Sequence, residues 1–213
     1  MNLLPALASV ALVAAATGAE VLTFDQAEAG KPPAGWALTK TGRGAPRWSV
    51  EKDESAPSRP HVLKQSGEAI YPLALFDRSA LRDGFVEVKF KPLTGREDQA
   101  AGVVWRAKDA DNYYICRANA LENNVVLYKT EKGKRSSLDI VGRAGGYGTK
   151  AEVAKSQWHT LRVEFSGKRF KVIVDGKALF DVEDSTFGDA GKVGLWTKAD
   201  SVTLFDDFSF GPL

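Results

Sequence analysis

The chain has one cysteine, Cys116, in 213 residues, so no disulfide can form within it and stability must come from a packed core. No cysteine follows the apolar leader, which excludes lipid attachment there. Only two histidines are present, His61 and His159, and neither has cysteine, histidine or carboxylate partners at ligand spacing, so both read as packing or hydrogen-bonding residues. No Gly-x-Ser-x-Gly elbow marks a nucleophile. The glycine-rich stretch GRAGGYG (142–148) lacks the Lys-Ser/Thr ending of a phosphate loop and reads as a mobile loop. Charge of one sign is also missing: 29 basic and 27 acidic residues are interspersed, for a net +2, which argues against a nucleic-acid surface. The densest charged run, EKGKR (131–135), reads as a solvated hairpin tip.

Past residue 20 there is no long hydrophobic run. The first twenty residues, MNLLPALASVALVAAATGAE, contain no Lys or Arg, and their apolar stretch from Leu3 to Ala16 ends in the small residues Thr17-Gly18-Ala19. About 14 apolar residues fall short of the roughly 20 needed to cross a bilayer as a helix. The leader therefore predicts a signal peptide over 1–19 and export to the periplasm or the medium, with no membrane attachment after cleavage. The remaining residues, 20–213, are enough for one sizeable core, predicting a single, monomeric domain.

What is present is alternation. Short segments of period two recur from Val21 to the end, separated by Gly, Asp, Asn and Pro, and no helical pattern interrupts them. The clearest stretch is WHTLRVEFSGKRFKVIVDGKALFDVED (158–184). Leu161, Val163 and Phe165 share one face and Thr160, Arg162 and Glu164 the other; Phe170, Val172 and Val174 continue the apolar face after a turn. Asp175-Gly176 is a strong two-residue hairpin signal, because its turn type needs positive φ at both central positions. About a dozen such strands in a chain of this size predict an all-β fold of two packed antiparallel sheets, a β-sandwich or jelly roll.

Residues 112–129, NYYICRANALENNVVLYK, set a polar face against an apolar one. Taking Lys108–Asn112 as a hairpin loop pairs Arg106 with Tyr113, Val104 with Ile115 and Gly102 with Arg117. Arg106, Tyr113, Arg117 and Asn119 then share a face, opposite Val103, Trp105, Tyr114, Cys116 and Ala118, whose composition suits a core. Two guanidinium groups, an amide and a phenol around a glycine that leaves room would suit a polyhydroxylated or acidic ligand. Glu122, Asn123, Asn124 and Lys129 adjoin this face. Elsewhere, the alternation Val202, Leu204, Asp206, Phe208, Phe210 sets a carboxylate in step with apolar residues; Asp206 is either hydrogen-bonded at a bulge, replaced as the inward residue by Asp207, or a ligand of Ca²⁺. The pairs Asp181/Glu183 and Glu51/Asp53 share strand faces but read as solvated strand ends.

The succession AGVVWRAKDADNYYICRANALENNVVLYKTEKGKR, WHTLRVEFSGKRFKVIVDGKALFDVED and GKVGLWTKADSVTLFDDFSF resembles the concanavalin A-like lectin and glucanase superfamily. More narrowly it resembles the secreted bacterial laminin G-like domains grouped with 3-keto-disaccharide hydrolase (glycoside hydrolase 16-like) domains. The resemblance spans about residues 21–212. It implies a concanavalin A-like jelly roll that holds sugars on a concave sheet, with calcium near the chain ends involving Asp206 or Asp207 and the segment around Phe24 and Asp25. The family-16 glucanase pattern Glu-x-Asp-x-x-Glu is absent, which counts against retaining glucanase chemistry. Three functions follow as expectations. The first is a non-catalytic carbohydrate-binding domain using Arg106, Tyr113, Arg117, Asn119, Glu122, Asn123, Lys129 and Trp196. The second is a glycoside-active hydrolase with Glu122 or Asp109 as acid or base. The third is a protein-interaction or adhesion domain using the same face.

Overall fold

The computed structural model describes residues 18–143 and 145–213; the leader expected over 1–19 lies, apart from its last two residues, outside them. Among the described residues sixteen strands follow one another. They are β1 (Glu20–Leu22), β2 (Trp36–Ala45), β3 (Trp48–Lys52), β4 (His61–Gln65), β5 (Glu68–Phe76), β6 (Gly84–Thr94), β7 (Ala100–Asp109) and β8 (Asn112–Asn119). The second half adds β9 (Asn124–Glu131), β10 (Lys134–Ser137), β11 (Thr149–Lys150), β12 (His159–Ser166), β13 (Arg169–Val174), β14 (Lys177–Glu183), β15 (Lys192–Trp196) and β16 (Val202–Gly211).

These strands make two eight-stranded antiparallel sheets. The first runs β14-β13-β12-β6-β16-β4-β3 with β1 beside β16, and the second runs β10-β9-β8-β7-β15-β5-β2 with β11 beside β9. The alternation of the sequence is what packs them together. Leu161, Val163, Phe165, Phe170, Val172 and Val174 face inward from the first sheet and meet Val103, Trp105, Tyr114, Cys116 and Ala118 of the second in one buried cluster. Burying each large apolar side chain is worth about 1.5–3 kcal/mol relative to exposure, so this layer dominates the stability. The Asp175-Gly176 turn has φ of 49° and 75°, as that hairpin requires. Among the described residues no helix is long and apolar enough to cross a membrane.

The second sheet is strongly curled. Strands β8 and β2 have β7, β15 and β5 between them, which would set them about 19 Å apart in a flat sheet. Yet the Tyr113 hydroxyl of β8 lies 2.8 Å from Thr41 Oγ1 of β2, and Thr41 also donates to the Ala110 carbonyl at 2.5 Å. The face turned away from the sandwich core is thus a hollow with its own buried cluster, including Leu73, Val104, Tyr113, Ile115, Val126, Tyr128 and Trp196.

Two bulges overturn registers expected from strict alternation. Gly102 does pair with Arg117 and Val104 with Ile115, but the register shifts between Trp105 and Asp109, where Arg106 takes φ 47°. That extra residue turns the Arg106 side chain out of the hollow, and Arg106 does not share a face with Tyr113 and Arg117. The second bulge lies between Asp206 and Ser209, with Asp207 at φ 45°. Phe205, Phe208 and Phe210 enter the core, whereas Leu204 packs outside it with Ala56 and Val62. Asp206 is therefore out of step with Phe208 and Phe210.

Candidate functional site

The hollow of the second sheet holds a polar chain of side chains at one end. Arg117 points into it from β8 and is fully buried. Its Nη1 and Nη2 donate to Glu122 Oε1 and Oε2 at 3.1 and 3.0 Å, and Nη2 also donates to Asn124 Oδ1 at 2.6 Å. Asn119 Nδ2 donates to Glu122 Oε1 at 3.2 Å and to Asp98, which in turn accepts from Lys198. Arg117 holds the Glu122 carboxyl below the usual carboxylate range, while desolvation partly opposes that shift. Burial disfavours charge on Arg117, but the Glu122 hydrogen bonds together with the charge of Glu122 and the neighbouring Tyr128 and Tyr147 outweigh it, and the guanidinium pKa is raised. The pair is ionised at neutral pH.

Aromatic rings line the rest. The Arg117 guanidinium lies 5.8 Å from the Tyr128 ring centroid and 5.7 Å from that of Tyr147. Tyr147, from the glycine-rich loop, accepts from the Tyr128 hydroxyl at 2.5 Å and is 49 % exposed. Trp196 stacks under Tyr71 at 5.4 Å and 27°. Arg135 of β10 crosses the hollow, with its guanidinium carbon 4.3 Å from the Tyr128 centroid, 4.7 Å from that of Tyr71 and 5.5 Å from that of Trp196. Beside Tyr71 opens a cleft of about 610 Å³ lined by Arg43, Glu68, Ile70, Glu97 and Lys198 among others. Lys198 and Tyr71 connect cleft and hollow.

Of the residues expected at the site, Tyr113, Arg117, Asn119, Glu122 and Trp196 come together here. Four of these are fully buried, Tyr113 against Thr41, Trp196 beneath Tyr71 and Arg135, and Arg117 and Asn119 within the polar chain, so of the five only Glu122 reaches solvent. The expected space at Gly102 is filled, since a Cβ there would stand 2.5 Å from Ile115 Cδ1 and 3.3 Å from Trp196.

Four others lie elsewhere. Arg106 is buried at an end of the sandwich, donating to the carbonyls of Arg82 (2.7 Å), Phe187 (2.9 Å) and Gly167 (2.7 Å) and to Asp83 (3.1 Å), over the rings of Phe165 and Phe170. Lys129 is opposite Tyr114 in register, so it faces the other side of the sheet, where it binds Asp184 and Thr186 at 3.0 and 2.6 Å. Asn123, at φ 46°, accepts from the Val153 amide at 3.2 Å and shapes the turn behind Glu122. Asp109 accepts from the Asp111 amide at 2.7 Å and from Asn112, which closes the β7–β8 turn.

The carboxylates expected around calcium are separately engaged. Asp206 accepts from Ser58 N, Ser58 Oγ and Asp207 N, each at 2.8 Å, and is pushed up by burial against those hydrogen bonds. Asp207 pairs with Lys89 at 2.7 Å, and Asp25 accepts from the His61 amide at 3.1 Å. Among the described residues no three His, Cys, Asp or Glu side chains gather as a metal site.

Sequence reasoning did not find Tyr71, Asp98, Tyr128, Arg135, Tyr147 or Lys198. For Arg135, the reading of EKGKR as a solvated tip is corrected: it faces Thr130 in the β9–β10 register, on the hollow side, and the curl carries it to Tyr71. A usable signal was the aromatic Tyr128 two residues from Thr130 on the same face.

Residues 21–210 match the family described as 3-keto-alpha-glucoside-1,2-lyase-like domain. The chain belongs to that family. Over 97 residues, 45 % of this chain, it is 33 % identical to a levanase from Bacillus subtilis (strain 168), but it spans only 13 % of that protein's length. The carbohydrate-binding module CBM66 from Bacillus subtilis has the same fold (TM-score 0.65, 21 % identity, 82 % of this chain and 94 % of that one). The cellulose-induced protein Cip1 is similar too (TM-score 0.60, 12 % identity, 84 % and 91 %), as is a Bacillus subtilis protein with a galectin-like fold (0.58, 12 %, 83 % and 88 %). At these identities the likenesses establish the jelly roll and nothing finer.

Proposed function

We propose that this 3-keto-α-glucoside-1,2-lyase-like domain is an exported, monomeric carbohydrate-binding module that does not itself turn over its ligand. The observation carrying this reading is the connected set Lys198–Asp98–Asn119–Glu122–Arg117 beside a cleft that has Tyr71 on its wall. Its solvent-reaching members are Glu122 and Lys198, an acceptor and a cationic donor held in place by the buried Arg117, Asn119 and Asp98, next to exposed ring surface at Tyr147 for stacking. Glu122 is not suited to donate a proton, since Arg117 holds it ionised. A glycan array followed by calorimetry tests this. Binding of a saccharide class without hydrolysis supports the reading, and silence across neutral and charged glycans sinks it.

One observation favours a second reading, glycoside-active catalysis. Glu122 and Asp98 share the Asn119 amide, so two carboxylates stand close together, as cleavage of a glycosidic bond requires. Turnover of a 3-keto-glycoside panel that Glu122→Gln abolishes while binding persists would establish this reading over the first.

A further inference from the structure

Arg135 stands apart from the other cations of the hollow. Arg117 has Glu122, and Lys198 has Asp98. Arg135 has no carboxylate within ion-pair distance among the described residues, and its Nη1 is buried without a hydrogen-bond partner. The faces of Tyr71, Tyr128 and Trp196 hold the guanidinium and remove water from it, but rings satisfy none of its in-plane N–H groups. A partly desolvated guanidinium held rigid with a donor unused is pre-arranged for an oxyanion, which it can take through two parallel hydrogen bonds. Arg117, across the same Tyr128 ring, adds positive charge that Glu122 offsets. Of Arg117, Lys198 and Arg135, only Arg135 lacks an ion-pair partner among the described residues.

We infer that the ligand is an anionic saccharide, with Arg135 binding its carboxylate or sulfate oxygens while Glu122 and Lys198, the solvent-reaching ends of the polar chain, take the hydroxyls. This rests on the carbohydrate reading and narrows it. A neutral sugar would leave the guanidinium donor empty or force it aside, whereas an acidic sugar fills it.

The test is calorimetry on the full chain with trigalacturonate, with its methyl ester, and with a sulfated galactan oligosaccharide, at low and high salt. Either acidic probe should bind at least about tenfold more tightly than the neutral ester, with affinity falling as salt rises. Which acidic probe wins identifies carboxylate or sulfate as the anion. Arg135→Gln should remove that advantage, so that the variant binds the acidic probes and the neutral ester alike, and Arg135→Lys should restore only part of it. Should Arg135→Gln fail to fold, the acid-to-ester comparison on the natural chain decides alone. Equal or tighter binding of the neutral ester overturns the inference and leaves the carbohydrate reading standing. Binding of no saccharide overturns both.

Discussion

Arg117 and Glu122, five residues apart, meet in a two-pronged ion pair whose cation is wholly buried while the carboxylate side chain is 39 % exposed. That asymmetry makes the two truncations unequal. Glu122→Ala strands a buried guanidinium and should cost about 3–5 kcal/mol, whereas Arg117→Met leaves a carboxylate that water can reach and should cost clearly less. Urea unfolding of both variants measures this, and equal losses would contradict it.

Arg106 separates structure from binding. Arg106→Ala removes four hydrogen bonds at the end of the sandwich and leaves three carbonyls unpaired. It should destabilise the fold by about 3–5 kcal/mol. Ligand affinity of the folded fraction, measured at low temperature, should not change, because the side chain lies outside the hollow.

Gly102→Ala acts from beneath. Its Cβ would meet Ile115 Cδ1 at 2.5 Å and the Cys116 carbonyl at 2.9 Å, and the backbone contact cannot be relieved by a rotamer change. Destabilisation of about 1–3 kcal/mol is expected from overpacking. The fluorescence of Trp196, whose ring edge is 3.3 Å away, should shift with it.

Tyr147 gives the opposite pattern. It is half exposed, and Tyr147→Ala should leave the melting temperature within a degree or two while weakening ligand binding by about 0.5–1.5 kcal/mol through the lost ring face. A large stability loss with unchanged binding would show Tyr147 to be a structural cover.

Acid should weaken the fold. Burial works to raise Asp53, Asp184 and Asp200, but hydrogen bonds outweigh it and all three sit below the ordinary value, as Glu122 does chiefly through Arg117. For Asp200 those bonds come from the amides of Arg96, Glu97 and Asp98. Each such group contributes stability that is present above the unfolded-state pKa near about 4 and is lost as pH falls through the lower folded value. Asp206, raised by burial, works the other way: its native state binds the proton more tightly, so its contribution grows as pH falls toward about 4. Glu183, lowered by Lys168 at the surface, adds a fifth, so five groups oppose one. Melting temperatures should fall between pH 5 and 3, less steeply for Asp200→Asn, and a flat profile in both proteins would refute this.

Much of the fold was legible because it is local. Strict alternation around Leu161, Phe170 and Val172 assigns faces without knowledge of the partner sheet, and Asp175-Gly176 fixes its own turn. The pairing of Gly102 with Arg117 followed from the hairpin, and with it the meeting of Arg117, Asn119 and Glu122.

Only the tertiary structure decided the rest. A single extra residue at Arg106, and another at Asp206–Asp207, reverses which way a side chain points, and nothing in the chemistry of either stretch announces an insertion into a period of two. Curl is a property of the whole sheet. It brings Arg135 to Tyr71 and Tyr113 to Thr41 across intervening strands, contacts between residues more than sixty positions apart. The sequence by itself determined two packed sheets and the polar stripe at 117–122; the bulges and the curvature determined which side chains that stripe would share its hollow with.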